Sequence, residues 1–162
     1  MDIRPFAPGD EVGICEIYQH YILNTVVTFE EVPLSSEQMR ARIDAYRADH
    51  PWLVCVKDGV IVGYAYASKF HQRAAFRHTA ELSVYVRHGC ERQGIGRQLY
   101  EPLIKQVEAQ GCHAMMGVIA LPNESSVRLH ESLGFTKVGH LPQVGHKFGE
   151  WVDLGYWQRL ND

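Results

Sequence analysis

Glu91-Arg92-Gln93-Gly94-Ile95-Gly96-Arg97 joins a β-rich run, Thr79 to Val86, to a segment of helical periodicity. Ile95, Leu99, Leu103 and Val107 recur on one helical face, and Gly111 is the expected stop. The spacing predicts a helix from Gly94 to about Gln110, bent rather than broken at Pro102. Glycines at such a turn let backbone approach a ligand, and the free N–H groups of a helix start attract anions. Arg92 and Arg97 flank the turn and are suited to neutralising a pyrophosphate. A glycine turn before a helix is also a common packing device, so the stretch alone leaves both readings open. A dinucleotide fingerprint fails because Leu99 stands where its third glycine belongs, and no G-x-x-x-x-G-K-[ST] occurs.

Outward from this stretch, residues 2–6 read as a strand, and Ile14, Ile17, Tyr18, Tyr21 and Ile22 fall at helical spacing. Leu23 to Leu34 has mixed periodicity and reads as a loop. Ser35 and Gln38 stand at capping-box spacing and open a second helix. Trp52–Val56 and Val60–Ala67 are β-rich runs joined by Asp58-Gly59, a hairpin signal. His113–Ile119 is an expected strand, Asn123–Leu133 a helix stopped by Gly134, and Phe135–Gly139 and Trp151–Arg159 two last strands. The order βααβββαβαββ implies one α/β domain over residues 1–162, a mixed sheet with helices on both faces.

Composition narrows the function. Sixteen Lys and Arg against 19 Asp and Glu give a net charge of −3, against a protein held by nucleic-acid phosphates. The apolar runs, Val60-Ile61-Val62 among them, fall far below the ~20 residues that span a bilayer. Met1-Asp2-Ile3-Arg4-Pro5 lacks the basic and apolar regions of a secretory signal. Cys15, Cys55, Cys90 and Cys112 lie far apart, which points to reduced thiols and a cytoplasmic location rather than a disulfide framework. The nine histidines show no H-E-x-x-H spacing, so no metal is expected.

Glu81-Leu82-Ser83-Val84-Tyr85-Val86, the glycine turn, Asn123 and Leu129-His130-Glu131-Ser132-Leu133-Gly134-Phe135 together resemble the GNAT acyltransferase superfamily. Its pyrophosphate loop reads Q/R-x-x-G-x-G/A; Gly94 and Gly96 match, while Glu91 replaces the usual Gln or Arg. The backbone cradle needs only the glycines. The resemblance is closer to one branch, the phosphinothricin and methionine sulfoximine/sulfone N-acetyltransferases. It is carried by Ile17-Tyr18, Phe76-Arg77-His78-Thr79-Ala80-Glu81, Ser83-Val84-Tyr85-Val86, Leu141-Pro142-Gln143-Val144-Gly145-His146-Lys147-Phe148-Gly149, Trp151, Asp153 and Leu154.

The resemblance implies a GNAT acyl-CoA N-acyltransferase fold, with a central mixed, mostly antiparallel twisted sheet. It implies direct attack of a substrate amine on acetyl-CoA, with Glu81 as the base. Backbone N–H near Val84, where such strands bulge, would steady the thioester oxygen. Val84, Tyr85 and Val86 would pair with the pantetheine arm, and Arg92, Gln93, Gly94, Ile95, Gly96 and Arg97 would hold the pyrophosphate. Asn123 and Ser132 match further acetyl-CoA contacts. His130 is either the acid for the departing thiolate or a packing residue beside the ligand. Arg73, Ala75, Phe76 and Arg77 would line the acceptor pocket, although Phe76 also reads as core and the arginines as solvated charges. Arg73 follows the phosphinothricin pattern and Phe76-Arg77-His78-Thr79 the sulfoximine/sulfone one. Phe70-His71 replaces the Trp-Arg pair of the latter. Lys147 and Phe148 would close the acceptor site, across the interface of a homodimer. The expected acceptor is a small amino acid or analogue, with no nucleic-acid or membrane partner. Two other readings stay open: acetylation of another amine (a peptide N-terminus or polyamine), and a catalytically silent acetyl-CoA-binding regulator.

Overall fold

A computed structural model describes residues 1–161. The strands are β1 (Asp2–Pro5), β2 (Trp52–Lys57), β3 (Val60–Lys69), β4 (Thr79–Val86), β5 (Ala114–Leu121), β6 (Thr136–Lys147) and β7 (Glu150–Leu160). The helices are α1 (Asp10–Asn24), α2 (Ser36–Arg47), α3 (Ile95–Ala109) and α4 (Glu124–Ser132), with a 3-10 turn at Ala74–Phe76.

Local chemistry explains most boundaries. Ser35 and Gln38 form the expected capping box, with Gln38 N–H on Ser35 Oγ at 3.1 Å and Ser35 N–H on Gln38 Oε1 at 2.9 Å. Asp58 and Gly59, at φ 51° and 76°, make the two-residue hairpin turn between β2 and β3. Helix α3 continues through Pro102 without a break.

Helix α1 starts at Asp10, one turn ahead of the first residue in its apolar pattern, and Asp10 accepts from the Ala7 N–H at 2.8 Å. One boundary differs from the sequence expectation. Strand β6 does not stop at Gly139 but continues to Lys147, because a bulge absorbs the Pro142-Gln143 step. Asp153 fastens that bulge, accepting from Gln143 N–H at 2.8 Å and meeting His140 Nε2 at 2.8 Å. Phe148 and Gly149, at φ 54° and 74°, then turn β6 directly into β7.

The sheet order is β1-β2-β3-β4-β5-β7-β6, antiparallel throughout except for β4 beside β5. One face buries Ile14, Ile17, Ile22, Met39 and Ile43 of α1 and α2 against Trp52, Val54 and Tyr64. The other buries Leu99, Leu103, Ile104 and Val107 of α3 against Leu53, Ala65 and Leu82, with Phe135 and Trp157. Among the described residues no helix is long and apolar enough to cross a membrane.

Candidate active site

Strands β4 and β5 pair only at Thr79–Ala114, Ala80–Met115 and Glu81–Met116. Beyond Glu81 they part, while β4 stays in register with β3 from Ala80–Lys69 to Val86–Gly63. That unbroken register removes the bulge expected at Val84; the opening comes from separation of two strands, not from a kink in one. Ser83, Val84 and Tyr85 line the resulting cleft from one side, and Val118, Ile119 and Ala120 from the other. Tyr100, Asn123, Ser126, His130 and Val27 complete the lining. Val86 is not among the lining residues.

The glycine turn lies at the C-terminal end of β4. Gly94, at φ 76°, is the N-cap of α3 in the left-handed region, and Arg92 shares that region at φ 64°. Glu91 closes its own loop, accepting from Gly89 N–H at 2.8 Å, so the family's Gln or Arg is replaced by a residue that shapes backbone. Gly96 answers a packing need, since a Cβ there would come within 3.1 Å of Leu129 on α4. The packing reading of the turn therefore applies to Gly96, while Gly94 supplies its left-handed step. Ile95 is buried, while Arg92 and Gln93 are exposed and Gln93 Oε1 accepts from Lys57 at 3.2 Å. Arg97 donates to Glu101 at 2.6 Å and to Ser132 Oγ at 3.0 Å, which links α3 to α4 beside the turn. Asn123 caps α4, its Oδ1 accepting from Ser126 N–H at 3.2 Å. The open strand edge, the left-handed turn and the free N–H groups of α3 suit a ligand whose extended arm runs into a pyrophosphate, as the pantetheine arm of acetyl-CoA does.

Glu81 is the last β4 residue paired with β5, and it shares a sheet face with Ser83 and Tyr85 by strand alternation. No ion pair holds it among the described residues, and burial pushes its carboxyl above the usual glutamate value. His130 is only 3% exposed. Its Nδ1 faces the Ser126 carbonyl at 2.7 Å, so Nδ1 carries the proton. Burial lowers its pKa, and the bare Nε2 is left to accept from Tyr100 OH at 3.2 Å.

Arg73, Phe76 and Arg77 line a separate groove with Lys69, His50, His71 and His78, where Asp49 is the one acid among the described residues. Ala75, in the same 3-10 turn, is exposed but does not line it. Phe76 is exposed rather than core, its ring 4.9 Å from His71 and 6.0 Å from Phe70. Arg77 donates to the Ala74 carbonyl at 3.0 Å. This groove reaches Thr79 and Ala80, the cleft begins at Leu82, and Glu81 lies between them. Lys147 departs from its expected role: it is 2% exposed, and its ammonium donates to the Thr28 carbonyl at 2.8 Å. Phe148 at the hairpin turn is exposed.

Sequence reasoning missed the segment between α1 and α2. Val27 lines the cleft, and Glu30 accepts two bonds from Arg42, at 2.7 and 2.8 Å. No periodicity marks these residues, because their partners come from α1, α2 and β6.

Comparison with known proteins agrees with this geometry. The family model described as an acetyltransferase (GNAT) domain matches residues 3–155. The phosphinothricin N-acetyltransferase of Streptomyces viridochromogenes is 42% identical over 98% of this chain and 87% of its own. The L-methionine sulfoximine/L-methionine sulfone acetyltransferase of Salmonella typhimurium is 38% identical over 98% of this chain and 93% of its own. A GNAT superfamily phosphinothricin acetyltransferase of Sinorhizobium meliloti, solved in complex with acetyl-CoA, superimposes with a TM-score of 0.95 at 35% identity, over 98% of this chain and 87% of that one. The chain belongs to the GNAT family and is an acetyl-CoA-dependent N-acetyltransferase.

Proposed function

We propose that this enzyme acetylates the amine of a small amino acid or analogue of the phosphinothricin, methionine sulfoximine or methionine sulfone type. One observation carries the reading: Glu81 is a half-buried carboxylate with no ion pair among the described residues, and it stands on β4 between Ala80, which lines the arginine groove, and Leu82, which lines the cleft. In this reading Arg73 and Arg77 receive the acceptor's carboxylate or its oxygen-bearing sulfur or phosphorus group, with Phe76 as an apolar wall. Similarity to the relatives above supports that acceptor class.

An amine that is protonated at neutral pH must lose a proton before it attacks. Glu81 takes that proton, directly or through water, and its raised pKa makes it a stronger base than an exposed carboxylate. Acetyl-CoA supplies the thioester carbonyl. Backbone N–H near Val84 on the free edge of β4 stabilises the charge that develops on the carbonyl oxygen. Val84 and Tyr85 pair with the pantetheine arm, Gly94 to Arg97 hold the pyrophosphate, and Asn123 and Ser132 add contacts. His130 acts as a wall beside the ligand, because its bare Nε2 has no proton to give. A thiolate with a conjugate-acid pKa of about 8.5 leaves without one at little cost.

The enzyme works as a homodimer in the cytoplasm. Exposed Leu141, Val144, Phe148 and Trp151 on the β6–β7 hairpin provide an apolar surface for the second copy, and light scattering at micromolar concentration is expected to read a dimer mass. The function is tested by free-thiol release from acetyl-CoA across a panel of amino acids, the three analogues, peptides and polyamines. Release with the amino-acid analogues is the expected result, and preference for a polyamine would overturn it.

A further inference from the structure

The segment from Thr25 to Glu31 has no regular structure, yet three elements grip it. Tyr18 of α1 bonds Thr28 Oγ1 at 2.7 Å and also donates to the Glu30 carboxylate. Arg42 of α2 takes the same carboxylate bidentately. Lys147 of β6 holds the Thr28 carbonyl, and Phe29 lies against Gly145, where a Cβ would fall 2.4 Å from its ring. Within the gripped stretch, Val27 reaches the cleft and faces the same opening as Val84 and Asn123.

A nearly inaccessible lysine and a partly buried ion pair are expensive ways to gain stability, since apolar packing of similar volume serves as well or better. Their directional bonds fix one conformation instead. We propose that Glu30 and Lys147 are positioning residues: they lock residues 25–31 against the cleft and so set how the acceptor amine approaches Glu81. The inference rests on the acceptor reading above. It also gives Lys147 a role that needs no contact with substrate.

The test uses the full chain with Glu30→Gln and, independently, Gly145→Ala, which displaces Phe29 without touching a charge. Each variant is expected to raise the acceptor KM about tenfold with kcat changed less than threefold. Acetyl-CoA Kd should weaken by a smaller factor than the acceptor KM rises, since the segment reaches the acetyl-CoA cleft through Val27 while the pyrophosphate is held at α3, and amide hydrogen exchange should quicken at residues 25–31 but not in α3. Arg42→Lys, which keeps the charge but not the fork, should recover part of the KM lost in Arg42→Met. An acetyl-CoA Kd that weakens in step with the acceptor KM would mean general loosening and overturn the proposal. Unchanged acceptor KM, or unchanged exchange at 25–31, would also overturn it. If the unsubstituted chain acetylates nothing in the panel, the proposed function falls, and exchange alone then decides whether Glu30 holds the segment.

Discussion

Glu30 and Glu81 are both half-buried carboxylates, and the protein treats them in opposite ways. Glu30 sits in a fork of arginine nitrogens with a tyrosine hydroxyl beside it, and Arg42 holds its carboxyl below the usual range. Burial first, and then the bond to Glu30, push Tyr18 up to about 12. Glu81 has burial without a partner, and its carboxyl is pushed up. Neighbouring charge wins in the first region and desolvation in the second. A group that is stabilised as an anion is a good anchor and a poor base; the reverse holds where the anion is left unsupported.

The sharpest way to break this comparison is to neutralise each carboxylate in turn. Glu81→Gln is expected to lower kcat/KM about 10²–10⁴-fold with acetyl-CoA binding nearly intact, the range typical of a lost general base. Glu30→Gln should leave kcat within a small factor; steady-state kinetics showing equal losses would erase the distinction. The acid limb of kcat/KM should inflect above the ordinary glutamate value of 4.5 and change when Glu81 is replaced.

Stability offers smaller but cleaner contrasts. Arg42→Met strips Glu30 of its fork, at a cost of about 1–2 kcal/mol by urea unfolding, discounted because both groups are about a third exposed. Glu30 has a depressed pKa, so the stability it contributes is present above its unfolded value and is lost as pH falls through the folded one. The Arg42→Met deficit should therefore shrink in acid. Glu81 has the opposite sign: ionising it weakens the fold, so Glu81→Gln should raise Tm at neutral pH and lose that advantage below the glutamate range. A Tm gain that persists in acid would assign the effect to packing rather than charge.

Most of the fold is readable in order along the chain, because its signals are local. Asp58-Gly59, the Ser35–Gln38 box and the apolar stripe of α3 each act within a few residues. Strand β6 escapes such reading, since Pro142 and Gly145 look like breakers until Asp153, on the next strand, fastens the bulge. In the site, the glycine turn is legible from its spacing, and Glu81 as a candidate from the family resemblance. The Glu30 network is not, because its members come from separated stretches and meet only after folding. Lys147 illustrates the limit: its motif draws attention to the residue, while only the folded chain reveals that its ammonium points inward at Thr28.

The three-residue junction between β4 and β5 also has a mechanical meaning. It divides the sheet into two halves, β1 to β4 and β5 to β7, joined by three residue pairs. The α3-side core, in which Leu82 and Ala65 meet Met115, Ile119 and Trp157, is the elastic backing across that joint. A molecule laid along the gap would act as a splint, raising the resistance of the whole sheet to bending. Its grip would then register as heat resistance, by about 2.7 kcal/mol at a hundredfold excess over Kd.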